Sequence, residues 1–395
     1  EMARHYVRDS VKQGQGSHVE FEVRGNLQDM PFDRPGSGRF WIKAPVKDVI
    51  YEFVPPALHA AGTPAWPALT QLQGTLVFEG AGMKVQQADT GFAGHPKLRI
   101  GSVDAEIPDL QHPHLTVQAS GLTDLNAALG LVKQSPLAGF TSHALDSATA
   151  QGNAQIAFHL DLPIDHLEKS KVRGSVGFEK NSLQFNADVP QLQQLQGKVQ
   201  FHDQGFELRN VQGQALGGSF KIDGGMPSLQ QGVRLQAKGL ATAVGMQKDS
   251  NVPLMAQIAA SAQGQAAYTV DLTANDRMQK VLVRSDLRGM VLNLPAPLYK
   301  AVDEALVLSV TQTLHTSEPK TQELRVDVAG RGAVSYVQDA SVSPAKVLRG
   351  RIVVGDVLQG NDSAAEGVSA HVQLPALDVD AWAAAWASGG ARASG

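Results

Sequence analysis

His112 and His114, separated by one residue, come nearest in this chain to a metal-binding pair. Two imidazoles can share an ion, but a stable site needs a third or fourth ligand. None stands close in sequence, so both are expected to be loop residues. Ser343-Pro344-Ala345-Lys346 has the S-x-x-K spacing in which a lysine stands beside a serine nucleophile. A proline falls where that motif needs helix, and its companion motifs are absent, so a turn is expected there. Gly80-Ala81-Gly82 and Gly330-Arg331-Gly332 lie between apolar runs of strand character, which makes them turn glycines rather than a phosphate cradle. There is no H-E-x-x-H, G-x-S-x-G or P-loop sequence. Asp378 and Asp380 could act as paired carboxylates only in a geometry the sequence does not specify. His159 and His202 fall at polar strand positions and are expected to be solvated. No constellation supports an enzyme, and neither a catalytic residue nor a cofactor or metal is expected.

The elements that carry these residues are strands. One pattern occurs twice. Leu69, Leu72, Gly74, Leu76 and Phe78, followed by Gly82 and Gly94, match Leu192, Leu195, Gly197, Val199 and Phe201, followed by Gly205 and Gly217. Leu69 and Leu192 are 123 residues apart, as are Gly94 and Gly217. A repeat at one fixed offset marks a repeated structural unit. Each copy alternates apolar and polar residues, the period of a strand with one wet face. Further strands are expected at 18–24, 39–51, 102–107, 115–119, 156–162, 172–178, 183–185, 268–272, 281–285, 306–314, 324–328, 333–337, 348–354 and 368–374, with Pro55-Pro56 breaking one of them. Helices are few. Thr123 is the expected N-cap of a helix whose stripe is Leu122, Leu125, Leu129 and Val132, stopped by Ser135-Pro136. Others are expected at 241–247, after Pro297 with Leu298, Val302, Ala305 and Leu306 on one face, and near Trp382 and Trp386, where the tryptophan pair packs as a lid.

About thirty helical residues cannot cover about twenty strands, so the sheet must line itself. The expected fold is mainly β: a long, curled antiparallel sheet forming an elongated open groove, with a few short helices at its edges. The groove is expected to run as one continuous segment over 1–395, built of repeat units at about 1–135, 136–250 and 251–390, with 387–395 a flexible tail. The candidate lining of the apolar face is Leu72, Leu76, Phe78, Leu115, Val117, Ile156, Phe158, Leu160, Leu195, Val199, Phe201, Val233, Leu235, Val270 and Leu272. Gly74 and Gly197 are expected to leave space on that face for something other than protein.

Composition narrows the partners. The net charge is −4, from 34 basic and 38 acidic residues, with no like-charge run, so no nucleic acid is expected. Cysteine is absent, which excludes disulfides and thiolate chemistry. No apolar run reaches the roughly 18 residues of a membrane span. The opening Glu1-Met2-Ala3-Arg4 and the small-residue tail suggest a piece of a longer protein. Glycine is frequent, at 39 residues, and aromatics are scarce, at 6%, which argues against a sandwich packed with bulky side chains.

Several stretches together resemble the AsmA-like envelope proteins of the YhdP type. They are Trp66-Pro67 ahead of Leu72-Gln73-Gly74-Thr75-Leu76-Val77-Phe78; Ser135-Pro136-Leu137; Gly174-Ser175-Val176-Gly177-Phe178 with Asn181-Ser182-Leu183; Leu195 to Phe201 with Gly217-Gly218; Leu294-Pro295-Ala296-Pro297-Leu298 with Lys300; and Leu377-Asp378-Val379-Asp380-Ala381-Trp382. Tyr299 departs from the smaller residue expected before Lys300. The resemblance implies a mid-section of a protein held in a bacterial inner membrane by a helix outside this chain. Its periplasmic β-groove would shield phospholipid acyl chains between inner and outer membrane and support the outer-membrane permeability barrier. It implies no catalytic residue, and it leaves envelope protein partners open. The alternative is a structural or adhesive β-sandwich or solenoid with a self-filled core.

Overall fold

The computed structural model describes residues 8–30, 32, 36–54, 62, 64–141, 144–186, 189–249, 259–342, 345–355 and 366–390. Pro55-Pro56, Ser343-Pro344, the side chain of Trp386 and the tail beyond 390 lie outside them. The described residues hold 22 strands and a few short helices. They form two compact units, residues 1–186 with 198–203, and residues 187–197 with 204–395.

In the first unit, β1 (Val11–Gly16) and β2 (Glu20–Gly25) pair with the two halves of the long strand β3 (Gly38–Tyr51). The ladder continues antiparallel through β4 (Leu69–Glu79), β5 (Gly82–Phe92), β6 (His95–Ile107) and β7 (His114–Asp124). The chain then leaves the sheet as α1 (Leu125–Gln134) and α2 (Leu137–Phe140). It returns through β8 (Thr149–Gln151) to β9 (Asn153–Pro163), which pairs with β7 and with β10 (Lys171–Gln184). β11 (Leu192–His202) is divided between the units at Gly197.

The second unit is a meander of β12 (Gly205–Ala215), β13 (Gly218–Met226), β14 (Val233–Thr242), β15 (Ala262–Ala274) and β16 (Met278–Ser285). α3 (Ala243–Asp249) follows β14, and the short β17 (Met290–Leu292) pairs with the start of β15. β16 pairs next with β18 (Leu308–His315), and the ladder runs on through β19 (Thr321–Val328), β20 (Gly332–Asp339) and β21 (Lys346–Gly355). β22 (Gly367–Gln373) adds to β21 in parallel, the one parallel pair among the described ladders. α4 (Val379–Gly390) follows it.

The class is the expected one, mainly β and antiparallel with few helices. Curvature is the departure: within each unit the sheet is open and uncurled. Here the face is aliphatic and shallow, and its aromatic rings lie down on glycines. An alanine side chain at Gly174 would run into the Phe201 ring, and one at Gly239 would reach within 2.6 Å of the Tyr268 hydroxyl on the directly paired residue. A Cβ at Gly213 would likewise lie 3.1 Å from Cε1 of Phe220, its directly paired residue. Such ring-over-glycine pairs pin register and restore packing that glycine alone would lose.

The duplication is a backbone fact. β4 and β5 begin and end 123 residues before β11 and β12. Left-handed residues recur at the same offset: Gln71 and Gln194, Gln87 and Asn210, Gly94 and Gly217. Register shifts at 70–75 of β4 and at 208–211 of β12 mark bulges in both copies. Those bulges overturn the expected role of the motif glycines. A Cβ at Gly74 would meet Ala88 Cβ at 2.9 Å, and Gly197, at φ +100°, faces the backbone of Asn210. Both spaces are filled by the neighbouring strand, so the glycines permit close approach of backbone rather than holding room for a ligand.

The helices also differ in detail. α1 is capped by Asp124, whose carboxylate accepts from the Ala127 N–H at 2.8 Å, while the Thr123 hydroxyl accepts from the Arg99 N–H. The aspartate is the cap because β7 runs through to Asp124, the residue directly before the first helical one, whereas Thr123 lies one position further back in the strand. Leu122 therefore points away and is exposed, and only Leu125 and Leu129 of the expected stripe are buried. No helix forms after Pro297. That segment folds back so that Leu292 and Lys300 exchange both backbone hydrogen bonds at 3.0 Å, leaving Val302 exposed and Leu306 buried.

Two small cores result. In the first unit Leu125 and Leu129 of α1 pack with Ala148, Ala150 and Ala154. In the second, Ala243 of α3 packs with Ala262, Ala266, Met290, Leu292 and Leu306. Each lies at one end of the strands.

Candidate functional site

Directly paired residues of an antiparallel ladder point to the same face. In the first unit one such row crosses seven strands: Ala44, Leu76, Val85, Ala105, Val117, Leu160 and Val172. In the second a row crosses ten: Val211, Ile222, Ala237, Val270, Val283, Val310, Val326, Val334, Ile352 and Ala370. Neither row contains a charge. At about 4.8 Å between strands they extend about 29 Å and about 43 Å.

The other face is polar. Lys43, Lys84, Glu106, Thr116, Asp161 and Lys171 occupy one row, interrupted by Val77. Lys84 and Glu106 form an ion pair at 3.2 Å. In the second unit Lys221, Lys238, Thr269, Arg284, Ser309 and Asp327 do the same, and Gln236 donates to Asp271 at 2.9 Å.

The candidate residues fall on the apolar face. Leu76, Val117 and Leu160 share one row, Leu115 pairs with Leu162, Phe158 with Ala119, and Ile156 with Gly121. Phe78 joins Phe21, Ile42, Met83 and Ile107. Phe201 covers Gly174, the partner of Phe158, which puts it on the same face, and Val199 follows by alternation. Leu72 pairs with Val49 beside the bulge. In the second unit Val270 lies in the long row, Leu235 pairs with Leu272, and Val233 with Ala274. Fourteen of the fifteen candidates are half-buried. Leu195 is the exception at 1% exposed, packed near Gly213. Sequence reasoning passed over Val85, Ala105, Val172, Val283, Val310, Val326, Val334 and Ile352. Their alternation was legible, but only the register shows that they align.

Half-burial along most of both rows, with Val211 buried and Ala370 exposed at the two ends of the second, means that little lies upon them. The helices that pack most on strands, α1 on β6, β7 and β8 and α3 on β14 and β15, sit at the strand ends over the two small cores. Trp382 of α4 acts as a clasp, its indole N–H donating to Ala296 O at 3.1 Å. The phenols of Tyr268 and Tyr336 are pushed up from their ordinary value by burial, in keeping with their place on the apolar side.

The remaining polar groups serve structure. Lys300 is wholly buried and donates to Met290 O at 2.7 Å and Ala301 O at 2.9 Å. Burial lowers its ammonium pKa, and Glu304, ion-paired to Arg331, lies near enough to counter that in part. His112 and His114 do not converge. Each takes its own carboxylate, Asp109 at 2.9 Å and Asp161 at 2.6 Å. Among the described residues no three metal-ligating side chains gather, and no helix is long and apolar enough to cross a membrane.

The fold and this face define a class: an open, antiparallel β-protein whose ordered surface includes a wide, uncharged aliphatic sheet face. The chain matches the family model described as YhdP protein over residues 1–394, and it belongs to the YhdP family. That family is envelope-associated and of lipid-transport type. No curated protein and no solved structure matches the chain.

Proposed function

We propose that this chain is a non-enzymatic stretch of a bridge-like conduit that shields phospholipid acyl chains as they pass between inner and outer membrane. The observation that carries the proposal is the pair of charge-free aliphatic rows, half-buried along most of their length rather than covered. A self-filled sandwich or solenoid would put the same residues under a second layer. An acyl chain gains about 0.8 kcal/mol for each CH₂ taken out of water. A face with no tight pocket offers that gain at every point along it, so a chain can shift without first losing its contacts. The fifteen candidate residues, Leu195 excepted, are the proposed contacts. The repeat-sized stretches at about 1–135, 136–250 and 251–390 are proposed as modules of this surface.

In this reading the chain lies in the periplasm, tethered to the inner membrane by a helix of the parent protein, and it supports the outer-membrane permeability barrier. Membership of an envelope-associated, lipid-transport family supports the setting. The test is mass spectrometry of the chain purified without detergent from a bacterial periplasm. Bound phospholipid is expected at one or more molecules per chain. A lipid-free protein that also takes up none from vesicles would refute the proposal.

A further inference from the structure

The apolar face of the first unit has two unlike rims. At one, α1 and its core sit over the strand ends around Ala150 and Ala154. At the other, the last apolar-face residues Leu115, Leu162 and Val172 give way, one residue further on, to His114, Pro163 and Lys171. A recess of about 540 Å³ opens there, lined by His114, Asp161, Lys169, Ser170, Lys171 and Asp203, with Pro163 at its wall.

We propose that this recess receives the headgroup of a phospholipid whose tails lie on the adjoining apolar face, and that it selects a zwitterionic headgroup ending in a primary ammonium. The inference rests on the conduit reading above and deepens it. Placement is the first argument. A tail on the face of β7, β9 and β10 has its polar end either under α1 or at this rim, and only this rim is polar and open. His114, Asp161 and Lys171 stand on the polar side of the pleat, so the headgroup turns over the strand ends to reach them.

Charge is the second argument. Two lysines, Lys169 and Lys171, share the lining with two aspartates, Asp161 and Asp203, and with Ser170. An anionic headgroup would satisfy the lysines and be repelled by the aspartates. A phosphate joined to an ammonium satisfies both sets. The third argument concerns which ammonium. A quaternary ammonium is recognised by the faces of Trp, Tyr and Phe, and among the described residues none of these lines the recess. A primary ammonium offers three N–H donors to carboxylate oxygens. His114 Nε2 holds Asp161 Oδ1 at 2.6 Å, which fixes that carboxylate toward the strand ends.

The experiment presents the full chain with vesicles holding equal phosphatidylethanolamine and phosphatidylglycerol, and native mass spectrometry reads the bound ratio. The unaltered chain is expected to favour phosphatidylethanolamine by about 3- to 10-fold, the yield of one or two solvent-screened charge contacts. Asp203→Asn with Asp161→Asn is expected to bring the ratio to one or below while total lipid stays the same. Lys169→Gln with Lys171→Gln is expected to lower both lipids together. Circular dichroism of each variant confirms that it is folded, and Asp203→Asn alone, outside any strand, provides the milder change. Lipid bound in a ratio that no variant moves overturns the headgroup site and leaves the conduit intact. No lipid bound by any variant overturns the conduit itself. A free-solute arm uses phosphoethanolamine. If it binds a Leu160→Asp variant as tightly as phosphatidylethanolamine binds the unaltered chain, the recess is a site for a soluble solute and the lipid assignment falls.

Discussion

A carboxylate at Val270 separates an uncovered face from a filled core. Val270 lies near the middle of its ten-strand row, with Ala237 and Val283 directly opposite. Their Cβ atoms stand about 4.5–5.5 Å from its own. Suppose a second layer covered this face. Val270→Asp would then bury an unpaired carboxylate, at a cost of about 3–5 kcal/mol. At about 2–4 °C per kcal/mol for a unit of this size, the Tm would fall by about 6–20 °C. The structure argues otherwise, because Val270 is half-buried and its carboxylate would keep much of its water. The expected loss is then about 1 kcal/mol, a fall of about 2–4 °C. The larger loss falls on lipid binding: a charge that lifts three or four CH₂ groups off the face removes about 2.4–3.2 kcal/mol, or about 60- to 200-fold in affinity. The assay is differential scanning calorimetry of delipidated protein beside quantitation of phospholipid extracted from vesicles. A large Tm fall with lipid uptake unchanged would refute the reasoning and favour the self-filled core.

Other outcomes follow from single contacts. Gly174→Val should displace the Phe201 ring and cost about 1–3 kcal/mol as overpacking, and Gly174→Val with Phe201→Ala should recover part of it; chemical denaturation of the three proteins checks this. Lys300→Ala leaves the buried Met290 carbonyl without that donor, and at about 1–3 kcal/mol should lower the Tm of the second unit by about 2–12 °C in a thermal melt. The phenols of Tyr268 and Tyr336 are raised by burial, so the folded state holds their protons above the unfolded value of about 10. Stability is whole below that pH and is lost as pH rises through the folded values, and Tyr268→Phe should move the alkaline unfolding midpoint upward. His112 is raised chiefly by its hydrogen bond to Asp109; Asp109→Asn should return it toward the ordinary histidine value in an NMR titration.

Strand content, antiparallel order and the scarcity of helix were legible because alternation and glycine-rich turns are local signals. The 123-residue offset also carried through, down to left-handed backbone at Gln71 and Gln194. What failed was non-local. The cap at Asp124 rather than Thr123 depended on where β7 ends. The missing helix after Pro297 depended on Lys300, whose buried amine is held by a carbonyl ten residues away. Gly74 looked like spare room because a sequence does not show which strand crosses it, and Ala88 fills that place. The candidate face was legible as a list of residues but not as rows. β5, β6 and β18 to β21 supply much of the two rows and were expected only as strands.

The corrected glycines sharpen the case for an extended binding surface over a set of pockets. Had Gly74 and Gly197 opened cavities, each repeat would hold its own niche, and a lipid would have to leave one to enter the next. Their space is taken by backbone at the bulges, and the glycines at 174, 213 and 239 are roofed by Phe201, Phe220 and Tyr268. Each device levels the face. A level aliphatic face offers a sliding chain nearly the same contact at each step, and a barrier to movement is the difference between steps, not the depth of any one. Opening a hollow should therefore slow transfer while strengthening binding. Phe201→Ala uncovers Gly174 and is expected to retain at least as much phospholipid at equilibrium, yet to pass it between donor and acceptor vesicles more slowly. Faster transfer by that variant would show that roughness is not what limits movement along the sheet.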